Sequence, residues 1–342
     1  MTTLPIGPVG PAVLAPVSAV DTSIPTAPQA APSPVATPPA PAAVTALEAA
    51  VQAAAERQGG LGALLADLGA AVQTPGLPQP VQAAATAVLA LQLPVDPPPT
   101  AADLRQALSQ SGLFLEAQLA AGAPPGLDLK AALLRLGQAL QDAPDAPPDT
   151  AQSAAPAPPY RGGPISGQPP AQPSFAAGAS ADTVVPRLAH ETAGAVARQV
   201  LLQVASLPGT PRPGEPRTAQ WLFEVPLATP QGAAIAQFEI GRDGGREGGD
   251  GGDDEAPVWR ARFSLDAPPM GAVHAKIAMS GGSARVTLWA EHADTAERLR
   301  GEAGQLTEAL TDDDLTAQVA VYAGAPPAPA PPAPGQFVDQ AS

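Results

Sequence analysis

Trp259-Arg260-Ala261-Arg262-Phe263-Ser264-Leu265-Asp266 is the stretch whose reading decides the fold. Its apolar residues, Trp259, Ala261, Phe263 and Leu265, alternate with polar ones, so an extended chain here has one apolar and one polar face. That is the pattern of a half-buried strand. Ala267-Pro268-Pro269-Met270-Gly271 then turns the chain, and Val273, Ala275, Ile277 and Met279 alternate with His274, Lys276 and Ala278. After a second turn at Ser280-Gly281-Gly282-Ser283, Val286, Leu288 and Ala290 alternate with Arg285, Thr287, Trp289 and Glu291. The three runs predict an antiparallel meander whose connections carry the expected Pro and Gly.

Around this meander the predicted domain runs from about residue 218 to 322. Trp221, Phe223, Val225 and Leu227 alternate as one strand, and Ala234, Ala236, Phe238 and Ile240 as its hairpin partner. A long Gly-rich acidic loop, 241–256, links this hairpin to the meander. Beyond the meander, Asp294 is read as the cap of a helix with Glu297 as its third residue, and Ala296, Leu299, Ala303, Leu306 and Leu310 as its buried stripe. Leu315, Ala317, Val319 and Val321 alternate as a last strand. The expected fold class is α+β: a C-terminal antiparallel sheet packed by one main helix, preceded by Pro/Ala-rich disordered tracts and short amphipathic helices.

Upstream, residues 1–42 are Pro/Ala-rich and predicted to be disordered, since they can bury too little apolar surface to offset chain entropy. In the amphipathic segment 43–141, Leu47, Val51, Ala54, Leu61, Leu65, Leu68 and Val72 share one side of a helix interrupted near Gly59-Gly60. A helix is also expected over 81–93. A capping box at Thr100 and Asp103 opens a helix over 101–119, with Leu104, Leu108, Leu115 and Leu119 on one side. Leu129, Leu133, Leu136 and Leu140 mark another. Residues 142–181 read as a Pro-rich linker, 182–217 as a helix and linker, and 323–342 as a disordered Pro/Ala tail.

The 342 residues include 46 Pro and 33 Gly, so length overstates the folded content. All three Trp lie between Trp221 and Trp289, which places the best core in the C-terminal part. A formal net charge of −15 disfavours nucleic acid and anionic membrane surfaces. No Pro-free apolar run reaches 18 residues, so no membrane insertion is expected. The absence of Cys excludes disulfides, thiolate metal sites and Cys nucleophiles.

Chemistry finds little support. The acidic loop around Asp250, Asp253, Asp254 and Glu255 lacks the EF-hand order of ligands, and reads as a solvated connection rather than a calcium site. His190, His274 and His292 fall on three predicted elements, no G-x-S-x-G turn accompanies them, and no phosphate-binding glycine spacing occurs. We therefore expect no catalytic residues, no metal and no cofactor. Trp289 projects away from the face that holds Val286 and Leu288. It either anchors a second packing layer, under the N-terminal part or the 182–207 helix, or serves as an interface residue.

These residues also carry a resemblance. Trp259 to Leu265, Pro268-Pro269-Met270-Gly271-Ala272-Val273, Val286 to Glu291, and a helix with Leu299 and Leu306 resemble the C-terminal domain of flagellar hook-length control proteins. That family has a strand ending in Leu and Pro, a Leu-Gly-x-Val step, a strand ending in Ala-Glu, and a Leu-spaced helix. Leu104 to Leu108, Ser111 to Glu116, Asp128 to Lys130 and Leu133-Leu134 resemble a segment that precedes the domain in many members. Met270 stands where the family usually has Leu, which keeps the apolar volume, and Thr311 to Asp314 replace its usual Gly-Leu helix exit.

The resemblance implies a non-enzymatic protein, first cytoplasmic and then exported through the flagellar type III apparatus. Its partners would be hook and hook-cap subunits and the cytoplasmic domain of the export-gate switch protein. Its C-terminal domain would switch export from rod and hook to filament subunits, through Pro268, Pro269, Met270, Gly271 and Val273, with Trp289 as a secondary candidate. The roughly 218 residues before that domain, at about 3.1 Å each in polyproline form, reach on the order of 650 Å, the scale of a molecular ruler. A rival reading is a passive secreted or surface structural protein with Pro/Ala spacers, and a third is a hydrolase using acidic-loop carboxylates.

Overall fold

Period-two alternation becomes a single mixed sheet. The computed structural model describes residues 41–122, 127–143, 155–176, 178–208, 219–243 and 257–327, all within one compact unit that begins at Pro41. The tract 1–40, most of the acidic loop and the tail from 328 lie outside the described residues, as do the disorder and calcium readings made for them. The sheet strands are β1 (Leu93–Pro94), β2 (Ala219–Thr229), β3 (Gly232–Asp243), β4 (Val258–Ala267), β5 (Gly271–Ser280), β6 (Ser283–Ala290) and β7 (Thr316–Ala323), in that spatial order.

The β2–β3 hairpin and the β4–β5–β6 meander form as the alternation predicts, and β3 joins them by pairing antiparallel with β4. The sheet is not wholly antiparallel. β7 runs parallel to β6, with Val286 opposite Val319 and Trp289 opposite Tyr322, and β1 runs parallel to β2. A parallel neighbour requires a crossover, and the long helix after the meander supplies it.

Register sorts the side chains onto two faces. One carries Trp221, Phe223, Phe238, Phe263, Ala275, Leu288 and Val321 in an apolar band, with Phe238 stacked 5.3 Å from Phe223 and tilted against Phe263 at 5.5 Å. The other carries Glu224, Gln237, Ser264, His274, Trp289 and Tyr322.

The helices are α1 (Pro41–Arg57), α2 (Leu61–Ala71), α3 (Gln79–Leu89), α4 (Ala101–Ser109), α5 (Leu115–Ala120), α6 (Leu129–Gln141), α7 (Ala181–Ser206) and α8 (Ala293–Asp312). The break at Gly59-Gly60 is present, and Gly59 N donates to Gly194 O at 3.0 Å where α1 crosses α7. A Cβ on Gly194 would come within 3.2 Å of Gly59 Cα. Leu61, Leu64, Leu68, Val81, Leu133, Leu136 and Leu188 form the main core of α2, α3, α6 and α7. Short amphipathic helices thus acquire stability from one another and from α7 rather than singly.

Several expected bounds change. The helix over 101–119 is two: its capping box forms at Thr100 and Asp103, but Gly112 adopts a φ of 90° and ends the run. The 81–93 helix stops at Leu89, and Leu93–Pro94 pairs with β2 instead. The cap of α8 is His292, with Asp294 inside the first turn. Of the expected stripe on α8 only Ala296 is fully enclosed, and Leu306 is exposed. The sheet also has more than one helix against it: α7 packs on β2, α2 on β3, and α4 places Ala107 and Leu108 beside Phe223, while α8 lies on β6 and β7.

Residues 155–176, read from their Pro content as linker, lie as a strap along the polar face. Gln168 N and O exchange 2.9 Å bonds with Ile235, Ser166 N donates to Gln237 Oε1 at 2.8 Å, and Gly167 N donates to Ser264 Oγ at 3.0 Å. The strap and α7 thus cover that face over β2, β3 and the near part of β4, leaving it open over β5 to β7.

Candidate functional site

Two surfaces at the C-terminal end of the sheet concentrate the nominated residues. The first is the β4–β5 turn. Pro268 and Pro269 are exposed and joined by a cis peptide, Met270 N donates to Ala267 O at 2.9 Å, and Gly271 takes a φ of 70°. This left-handed value favours glycine. The surroundings restrict the position further, because a Cβ on Gly271 would lie 2.7 Å from His292 Cε1. Thr295 Oγ1 donates to Met270 O at 2.8 Å, so the turn is clamped to the first turn of α8. Between them is a recess of about 530 Å³ lined by Pro269, Met270, His292, Asp294, Thr295 and Arg298.

The charges behind this turn are close-set. His274 Nε2 lies 3.4 Å from Glu291 Oε1. Burial first, and the Glu291 charge second, hold the Asp266 carboxyl above its ordinary range, against the opposing pull of His292 and His274. The fold thus sets His274 and His292 each within reach of Asp266, while His190 sits exposed on α7. No group of three or more such ligands capable of holding a metal occurs among the described residues.

The second surface is a groove of about 830 Å³ on the open polar face of β4 to β7. At one end Trp289 stacks on Tyr322, with ring centroids 6.1 Å apart. Trp289 is half-buried and Tyr322 is 53% exposed. Neither α7 nor the N-terminal helices pack on β6 or β7: α7 lies on β2, towards the opposite edge of the same face, and α2 and α4 reach only β3 and β2. The groove also contains Arg260, Lys276 and Arg285, and no acidic side chain lines it among the described residues. Arg260 is paired with Asp243, whereas Lys276 and Arg285 have no acidic partner among the described residues.

The nominated residues therefore divide. Pro268, Pro269, Met270 and Gly271 share the clamped turn. Val273 pairs with Leu265 and Ala290 on the apolar face, and Trp289 pairs with His274 and Tyr322 on the polar one. Sequence reading missed Tyr322, Lys276 and Arg285 as companions of Trp289, and His292 and Thr295 as the clamp. Tyr322 sits at an alternating position of the last strand, but only the parallel pairing places it beside Trp289.

These features define an α+β domain with a mixed sheet. Residues 248–330 match the family model described as flagellar hook-length control protein FliK. The described part of that span, 257–327, is β4 to β7 with α8, so the resemblance read from the sequence holds for the C-terminal domain that bears both surfaces. No curated protein and no solved structure matches the chain. No helix among the described residues is long and apolar enough to cross a membrane.

Proposed function

We propose that this protein is an exported flagellar ruler whose C-terminal domain switches type III export from rod and hook subunits to filament subunits. The observation that carries the reading is the hook-length control match over 248–330, which falls on the meander, α8 and the clamped turn. In this reading the protein is not an enzyme. It starts in the cytoplasm, passes through the export apparatus, meets hook and hook-cap subunits on the way, and acts on the cytoplasmic domain of the export-gate switch protein. Pro268, Pro269, Met270, Gly271 and Val273 form the main contact, with Trp289 beside it.

The test is hook length in cells. Gly271→Ala with Val273→Ala blocks the switch and gives overlong hooks without filaments; normal hooks and filaments in that strain would sink the reading. Changing the length of 1–40 alters hook length if the tract measures it. Deleting all of 142–179 is a poorer test, because the strap residues 166 to 168 are bonded to β3 and β4.

A further inference from the structure

We propose that the open polar face of β5 to β7 is a docking groove for an extended acidic segment of a partner protein. Its carboxylates sit at Lys276 and Arg285, and an apolar or prolyl residue covers Trp289 and Tyr322. The inference rests on the partner-binding reading of this domain and specifies the chemistry that the partner must bring.

Charge carries the first part. The chain has a formal net charge of −15, yet Arg260, Lys276 and Arg285 gather in one groove, and among the described residues no acidic side chain lines it and two of the three cations lack an acidic partner. Such unneutralised cations attract carboxylates and repel basic segments. Two free cations match a pair of carboxylates. They are too few to offset the repulsion between this chain and a polyphosphate backbone.

Register supplies the second part. Arg285, Thr287 and Trp289 alternate along β6 on the open face, with Lys276 opposite Thr287 and Tyr322 opposite Trp289. At about 3.4 Å per residue along β6, the Arg285 end lies about 14 Å from the aromatic end, and Lys276, opposite Thr287, about 7 Å from it, spans of about four and about two extended residues. Thr287 and Gln318 line the groove between or beside these ends and offer hydrogen bonds to an extended backbone. The stacked rings present a flat apolar platform on which a proline or aromatic side chain packs.

The experiment uses the full chain and a fluorescein-labelled peptide with glutamates about four and about two residues before a Pro-Phe pair, so that both face the groove, read by fluorescence anisotropy. Saturable binding is expected, weakening as salt rises. Replacing the glutamates by glutamine, or introducing Lys276→Glu with Arg285→Glu, weakens binding at least about tenfold. Lys276→Arg with Arg285→Lys retains it. The proposal is overturned if the peptide does not bind, if the glutamine peptide binds equally well, or if the charge reversal changes nothing while circular dichroism shows the fold intact. It is also overturned if binding emerges only after truncation at Pro327, which lies at the groove; the chain's own tail would then be the occupant. Loss of peptide binding in a strain with normal hooks leaves the groove chemistry standing and separates it from the switch.

Discussion

Arg198 and Glu224 meet at 2.6 Å with their side chains 3% and 1% exposed, joining α7 to the middle of β2. The guanidinium also donates to Gln58 Oε1 at 2.7 Å and Ala157 O at 3.2 Å, and Gln168 Nε2 donates to Glu224 Oε1 at 3.1 Å. One ion pair thus ties α7, the residue after α1, the strap and the sheet together. Arg198→Ala leaves an enclosed carboxylate without its cation, and a loss of about 3–5 kcal/mol in unfolding free energy is expected. Arg198→Met with Glu224→Leu removes both charges and costs much less. Urea unfolding of the three chains checks this, and equal losses in both variants would show that the charge itself is not what matters.

A second enclosed cluster makes stability depend on pH. Asp67 on α2 accepts 2.5 Å bonds from Ser174 N and Oγ, while Arg187 Nε lies 3.0 Å from Glu191 Oε1 and 3.5 Å from Asp67 Oδ2. Burial first, and the Asp67 charge second, push the Glu191 carboxyl up to about 8 from an ordinary 4.5, against the pull of Arg187. The folded chain therefore holds a proton that the unfolded chain releases. The stabilisation is fully present below about pH 4.5 and is lost as pH rises through about 8. Glu191→Gln mimics the protonated form. It is expected to flatten the decline in melting temperature between about pH 5 and pH 9 relative to the unchanged chain. Parallel pH profiles of the two chains would contradict the assignment.

Local pattern shows where the sequence was legible. The hairpin and meander follow from alternation, the start of α4 from Thr100 and Asp103, and α6 from its Leu spacing, because each signal lies within one short segment. The parallel pairing of β7 and the bonds of Ser166, Gly167 and Gln168 depend on distant segments, and high Pro content gives no sign of them. The same holds for the candidate surfaces. Pro268-Pro269-Met270-Gly271 reads directly as a turn, whereas its clamp on Thr295 and the company of Trp289 require the folded register.

The clamp itself is testable by removing one bond. Thr295 is buried, and its hydroxyl donates to Met270 O at 2.8 Å, so Thr295→Val keeps the shape and leaves that carbonyl without its donor. A cost of about 1–3 kcal/mol is expected. Amide exchange at Met270 and Gly271 should quicken, while the distant Phe223 to Phe238 region is unchanged. A uniform change across the sheet would argue against a local clamp.

Gly271 tests the turn from the other side. Its φ of 70° disfavours any Cβ, and the His292 ring occupies the space that a Cβ would need, so Gly271→Ala meets both backbone strain and a clash. A loss of about 1–3 kcal/mol is expected from the strain alone, with more where the ring cannot move. His292→Ala in the same chain removes the clash and leaves the strain, so it should recover part of the lost stability but not all. Thermal unfolding of the single and double variants separates the two causes. Full recovery in the double variant would assign the whole effect to His292, and no recovery would assign it to the backbone. In either case the first turn of α8 is expected to shift with the β4–β5 turn, because Thr295 binds the residue immediately before Gly271.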